Sequence, residues 1–235
     1  MGSLSVAHGP TRPAFRGVLL DWRGTLVVAP TDEWLVRTAL ERRARETSSV
    51  DAILAQLRRA DRSSVDSSLI DTDAALHRAA YLSWFAAAGI DDELAEELYA
   101  VESDVSLNAF AGDVGPLLRT LHAAGVQVGV VSDIHVDLRP AFSAHANPDG
   151  TTWAELVDVW VLSFELGAAK PDAAVFVAAL DRLGLPAADV LMVGDRGAWD
   201  GAAAELGITT LLVPPLRAPD ELRLHLVLHL ALPGH

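Results

Sequence analysis

At 235 residues with a formal net charge of −14, the chain is long enough to bury a core and too acidic to offer a general surface to nucleic acid or an anionic membrane. Apolar residues make up 51% and charged residues 21%, which is the composition of a globular protein and not of a disordered one. With no cysteine, disulfides and thiolate chemistry are excluded, and Lys170, the single lysine, is the one candidate for any amine-dependent step.

The first thirteen residues contain Gly, Ser and Pro and lack the apolar centre of a signal peptide, and no apolar run reaches the roughly 18 residues that cross a bilayer. A cytoplasmic protein with no membrane association is expected. Residues 16–21 then read as a buried strand ending in Asp21, followed by Trp22, Arg23, Gly24 and Thr25. From Ala29 to Ala109 no strand pattern occurs. Thr31 and Asp32 look like a helix start, followed by Trp34, Leu35, Ala39 and Leu40 on an apolar face. Residues 76–88 form a helix pattern with Leu76, Ala80, Trp84 and Phe85 on one side, and 91–101 form another, opened by acidic residues. The block 29–109 therefore reads as a helical insertion.

Beyond it, strands at 126–131, 157–162, 189–193 and 208–213 alternate with helical spacing at 114–124, 172–183 and 198–206, with Gly207 as a C-terminal cap. A closing amphipathic helix is expected over 222–232. Alternation of this kind predicts an α/β fold, a Rossmann-like parallel sheet covered on both faces, with its core in residues 1–28 and 110–235 and the helical insertion at 29–109. Ligands of such sheets bind beyond the carboxyl ends of the strands, where Asp21, Ser132 and Asp195 fall. Two strand-end carboxylates, Asp21 and Asp195, can share one divalent cation, with Asp200 to steady it.

Taken in order, Asp21 with Gly24 and Thr25, Ser132 after Val130 and Val131, Lys170 before Pro171, and Gly194-Asp195 with Asp200 resemble the four motifs of the haloacid dehalogenase (HAD) superfamily. The resemblance runs from about Phe15 to Val213, and the insertion after the first motif is similar to that family's helical cap, which covers the site and selects substrate. It implies a Mg²⁺-dependent phosphatase or phosphoryl-anhydride hydrolase acting on a small phosphorylated metabolite. Asp21 is then the nucleophile that forms an aspartyl-phosphate. Mg²⁺ is held by Asp21, Asp195 and the main-chain carbonyl of Arg23. Ser132 donates to a phosphoryl oxygen, and Lys170 neutralises charge shared by Asp21 and phosphate. Asp200 holds metal-bound water or orients Lys170, and Gly24 shapes a turn whose N–H groups face the phosphate.

Arg23 departs from the pattern. Phosphatases of this family usually carry aspartate there, to protonate the departing alkoxide and then activate water, and arginine does neither. Arg23 is left with two roles, binding a substrate anion or pairing with a nearby carboxylate. Asp133 and His135, just past Ser132, are substitute proton donors, although a loop histidine is more often simply solvated. The absence of lysine from 29–109 excludes the phosphonate-cleaving branch, which needs one there. Two alternatives stand beside the phosphatase: a metal-independent dehalogenase-like hydrolase using Asp21, and a catalytically weak protein that binds a phosphorylated ligand or a partner. Trp34, Arg37, Arg42, Trp84 and Phe85 are candidate specificity residues within the insertion.

Overall fold

The computed structural model describes residues 13–233, so the reading of the first dozen residues lies outside the described part. Five parallel strands, β1 (Gly17–Leu20), β2 (Gln127–Ser132), β3 (Val159–Leu162), β4 (Val190–Gly194) and β5 (Thr209–Leu212), form one sheet in the order β3-β2-β1-β4-β5. β1 is central: Leu20 lies opposite Val130 on one side and Val193 on the other. The pairing continues one residue further, where the Asp21 N–H donates to the Val193 carbonyl at 2.9 Å. Asp21, Ser132 and Asp195 thus end three adjacent strands at one edge.

Alternating side chains of β1 feed two cores. Val18, Leu20 and Trp22 pack against α5 (Val114–Ala123) and α9 (His225–Ala231), while Leu19 joins Val175, Phe176 and Ala179 of α8 (Ala173–Leu183) on the other face. Two short helices, α6 (Arg139–Ser143) and α7 (Ser163–Leu166), follow β2 and β3. Asp172 caps α8 by accepting from the Ala174 N–H, so Lys170 and Pro171 precede the helix and do not open it.

Between β1 and α5 the chain forms helices, α1 (Asp32–Arg42), α2 (Val50–Arg59), α3 (Ala74–Ala87) and α4 (Asp92–Glu102), with their own apolar core. Thr31, Asp73 and Asp91 cap three of them through their side chains. Leu76 is half exposed, contrary to the predicted apolar face of α3: the residue that turns inward is His77, and the face is completed by Trp84 and Phe85. Residues 200–206 form a tight 3-10 helix instead of the predicted α-helix, with Gly207 left-handed at its end. Among the described residues, no helix is long and apolar enough to cross a membrane.

Candidate active site

Lys170 sits at the centre of the strand-end cluster. Its Nζ lies 2.6 Å from Asp21 Oδ1 and 2.6 Å from Asp200 Oδ1, and its N–H donates to Asp133 Oδ1 at 2.8 Å. Thr25 Oγ1 donates to the other Asp21 oxygen at 3.1 Å, and Asp200 Oδ2 accepts from the Arg196 N–H at 2.9 Å. Asp21, Thr25, Lys170 and Asp200 are all buried. Asp200 thus pairs directly with the Lys170 ammonium and with the Arg196 main chain.

Two glycines make this density of groups possible. Gly24 has a φ of +83°, and a Cβ there would lie 2.4 Å from Asp195 Oδ2. A Cβ on Gly194 would lie 2.2 Å from Asp200 Cγ. The Gly24 N–H itself stays within the turn, donating to the Val27 carbonyl at 2.8 Å, and the glycine also makes room for Asp195. The turn is buttressed from the far end of the chain by Arg223, which donates to the carbonyls of Gly24 and Thr25 at 3.3 and 2.8 Å. Nothing local in the sequence marks that arginine.

The strand-end cluster carries more acid than base. Asp21, Asp195 and Asp200 each offer an oxygen, all within 4.8 Å of one another, and Asp195 Oδ1 is buried without a hydrogen-bond partner among the described residues. One ammonium against three carboxylates leaves a surplus of two negative charges. Burial, reinforced by Asp200 and opposed by Lys170, pushes Asp21 up to about 6. Burial and Asp200 raise Asp195. Burial works to lower Lys170, but the carboxylates of Asp21, Asp133 and Asp200 outweigh it and keep the ammonium charged. Hard carboxylate oxygens suit Mg²⁺, and so does the Arg23 carbonyl. In the bridge between Arg23 and Val27 the hydrogen bonds use the N–H and C=O of Val27 and leave that carbonyl out of the ladder.

The Arg23 side chain takes the carboxylate-pairing role. Nη1 lies 2.7 Å from Glu102 Oε1, Nη2 donates to the Glu102 carbonyl at 2.9 Å, and Nε lies 3.3 Å from Asn108 Oδ1. Burial works to raise Glu102, but Arg23, His135 and His77 together outweigh it and hold the carboxyl below its usual range. His135 corrects a second expectation. It is buried, not solvated: its Nε2 lies 2.9 Å from Ser103 Oγ and its ring stacks on His77 with centroids 3.4 Å apart. Burial pushes it down to about 4, which makes it neutral at pH 7 and a poor proton donor.

Asp21, Arg23, Ser132, Asp133 and Lys170 line one cavity of about 170 Å³, closed on the other side by Ile70, Asp71, His77, Tyr81 and Glu102. A larger cavity of about 290 Å³ around Val28, Pro30, Trp34 and Pro219 is mainly apolar and lies away from these carboxylates. The five candidate specificity residues of the insertion line neither wall of the carboxylate cavity. Phe85 is core, Trp84 lies under Arg62, Arg37 pairs with Glu33, Arg42 pairs with Asp104, and Trp34 borders the apolar cavity.

A family model described as haloacid dehalogenase-like hydrolase matches residues 15–207. No curated protein matches the chain. Among solved structures, a dehalogenase is 23% identical, covering 94% of this chain and 99% of its own, with a TM-score of 0.64. L-2-haloacid dehalogenase from Xanthobacter autotrophicus is 21% identical over 85% of this chain and 77% of its own, with a TM-score of 0.59. A predicted phosphoglycolate phosphatase from Haemophilus somnus is 19% identical over 87% of this chain and 86% of its own, with a TM-score of 0.57. Likenesses at this level are likenesses of fold.

Proposed function

Because the chain belongs to the haloacid dehalogenase-like hydrolase family, we propose that it hydrolyses a small phosphorylated metabolite with the help of Mg²⁺, through a phosphoryl group carried transiently on Asp21. The observation that carries this reading is the surplus of negative charge at the strand ends, with the buried, unpartnered Asp195 Oδ1 at its edge. A buried carboxylate oxygen with no partner among the described residues is costly to leave unpaired and becomes intelligible when a divalent ion sits against it. Asp21, Asp195 and the Arg23 carbonyl are the groups that hold the ion, which when bound neutralises phosphoryl charge and polarises the P–O bonds.

The chain's own residues do the rest. Thr25 and Lys170 each hold one oxygen of Asp21, fixing the carboxylate toward the cavity. Lys170 keeps it anionic in the presence of a second anion, and Ser132 donates to a phosphoryl oxygen. Asp133 sets the Lys170 main chain. Residues 29–109 act as the cap over the core formed by the remainder, and the floor of that cap limits the substrate to one that fits about 170 Å³.

The carbon–halogen reading is favoured by one observation, the lack of an acidic group at position 23, since displacement of halide needs no proton donor. One experiment separates the two. Mg²⁺-dependent release of phosphate from acetyl phosphate and an aryl phosphate, lost in Asp21→Asn, is expected. Halide release from a 2-haloacid in the presence of EDTA, with no phosphate release, overturns the proposal.

A further inference from the structure

Arg23 leaves the departing group without the aspartate usual at position 23, and Asp133, the other carboxyl on the core side, is held by the Lys170 main-chain N–H, whereas the opposite wall of the cavity offers a further carboxyl. The short 3-10 segment Ser68–Thr72 brings Asp71 to the cavity that Asp21, Ser132 and Lys170 line. Its main chain is tied to the core: Ser163 Oγ, just past β3, lies 2.6 Å from the Asp71 carbonyl, 3.0 Å from the Ile134 carbonyl and 2.8 Å from the Ile134 N–H it accepts from. Asp71 is thereby anchored beside the loop that leaves Ser132. Asp71 and Asp21 line the same cavity of about 170 Å³, so a small group held at Asp21 shares that confined space with Asp71.

We infer that Asp71 is the general acid and base of the site, a catalytic residue contributed by the helical segment in place of the one missing at position 23. This rests on the phosphoryl reading given above. As the Asp21 oxygen bonds to phosphorus and the ester P–O bond breaks, the leaving oxygen takes the bond pair and receives the Asp71 proton, giving a neutral alcohol. Asp71, now anionic, accepts a proton from water whose oxygen attacks the Asp21-bound phosphorus. The P–O bond to Asp21 breaks, its carboxylate is restored, inorganic phosphate leaves, and Asp71 is protonated again.

The surroundings suit a carboxyl that carries a proton near neutrality. Burial first, then the charges of Asp133 and Glu102, push Asp71 up to about 7 against the pull of Arg23 and Arg196. His77 Nε2 and His135 Nδ1 lie 3.6 and 4.0 Å from Asp71 Oδ1, but burial holds both rings neutral at pH 7, so neither fixes Asp71 as an anion. The trio Asp71, His77 and His135 is also close enough to bracket a metal. The stacking argues otherwise: the two rings are within 10° of parallel at 3.4 Å, so their in-plane lone pairs do not converge on one ion about 2.1 Å from each nitrogen.

The test compares kcat/KM, which reports steps up to leaving-group departure, for an alkyl phosphate and for acetyl phosphate, whose leaving group needs no proton. Asp71→Asn is expected to lower the alkyl value by about 10² to 10⁴ and to leave the acetyl value within about threefold. In the wild type the alkyl value falls above about pH 7 as Asp71 loses its proton, and that limb disappears in the variant. The retained acetyl activity shows that the variant folds. Equal losses on both substrates, no loss on either, or an unchanged basic limb overturns the proposal. Zinc or manganese bound stoichiometrically and lost in His77→Ala overturns it as well, since a metal-bound carboxylate holds no proton. A wild type that releases phosphate from neither substrate fails the phosphoryl reading itself and this inference with it, an outcome distinct from the others.

Discussion

Removing Arg23 tests whether that side chain serves the fold. Glu102 has a side-chain exposure of only 6%, against 26% for Arg23, and the Oε1–Nη1 separation is 2.7 Å. Arg23→Ala leaves a buried carboxylate whose second oxygen, Oε2, has the neutral His135 ring beside it, Nε2 at 3.3 Å. Breaking a buried pair from one side costs about 3–5 kcal/mol. Glu102→Ala is milder, about 1–3 kcal/mol, because Arg23 keeps the carbonyl of residue 102 and Asn108 and reaches some water. The double variant loses less than the sum, with a coupling of roughly 0.5–3 kcal/mol. Urea unfolding of the four proteins at pH 7.5 measures all three quantities. An Arg23→Ala effect below about 1 kcal/mol, or additive losses, refutes a buried structural pair. The same geometry bears on Arg23→Asp, the natural attempt to restore the missing acid: it sets a new carboxylate against Glu102, so it destabilises, and Arg23→Asp is a fair probe of catalysis only together with Glu102→Gln.

Three further outcomes are expected. Mg²⁺ raises the melting temperature of the wild type and leaves that of Asp195→Asn unmoved, as differential scanning fluorimetry reads directly; an equal rise in both removes Asp195 from the ion site. Gly24→Ala, strained at φ +83° and pressing on Asp195, lowers stability by about 1–3 kcal/mol and abolishes the Mg²⁺ response. Stability also depends on pH through Asp71, whose native pKa is raised from 3.8 to about 7. Between those values the native state holds a proton that the unfolded chain has released, so this contribution to stability falls as pH rises through the window, by up to roughly 1.4 kcal/mol per unit. Asp71→Asn lacks the dependence, and its advantage over wild type in urea melts grows from pH 4 to pH 7; a constant difference contradicts a protonated Asp71.

The sheet was legible because its central strands are buried on both faces and read as continuous apolar runs leading to a polar residue: Leu19-Leu20-Asp21, Val130-Val131-Ser132 and Met192-Val193-Gly194-Asp195 place the site edge from sequence alone. Helices with side-chain caps, such as the one after Thr31, were equally plain. α2 went unmarked although Val50, Ile53, Leu54 and Leu57 have helical spacing, because charge surrounds them on both sides. The side of the cavity facing the core was hidden for a different reason. Asp71 lies in a polar stretch that resembles a solvated loop, and its position depends on a hydroxyl 92 residues away. Glu102 looked like one more acid on an acidic helix until Arg23 was seen to face it. Trp84 and Phe85 drew notice as large aromatics, yet their size is what commits them to the interior of the helical segment.

Lys170 has one more consequence, which comes from its solitude. Seventeen of the eighteen basic side chains are arginine, so apart from the chain terminus this is the protein's only primary amine, and it lies 2% exposed at the floor of the cavity. An amine-selective reagent therefore labels one side chain, and only when the floor is laid open. The labelling rate is a built-in clock for how often this cavity opens, with no probe to be engineered into the molecule.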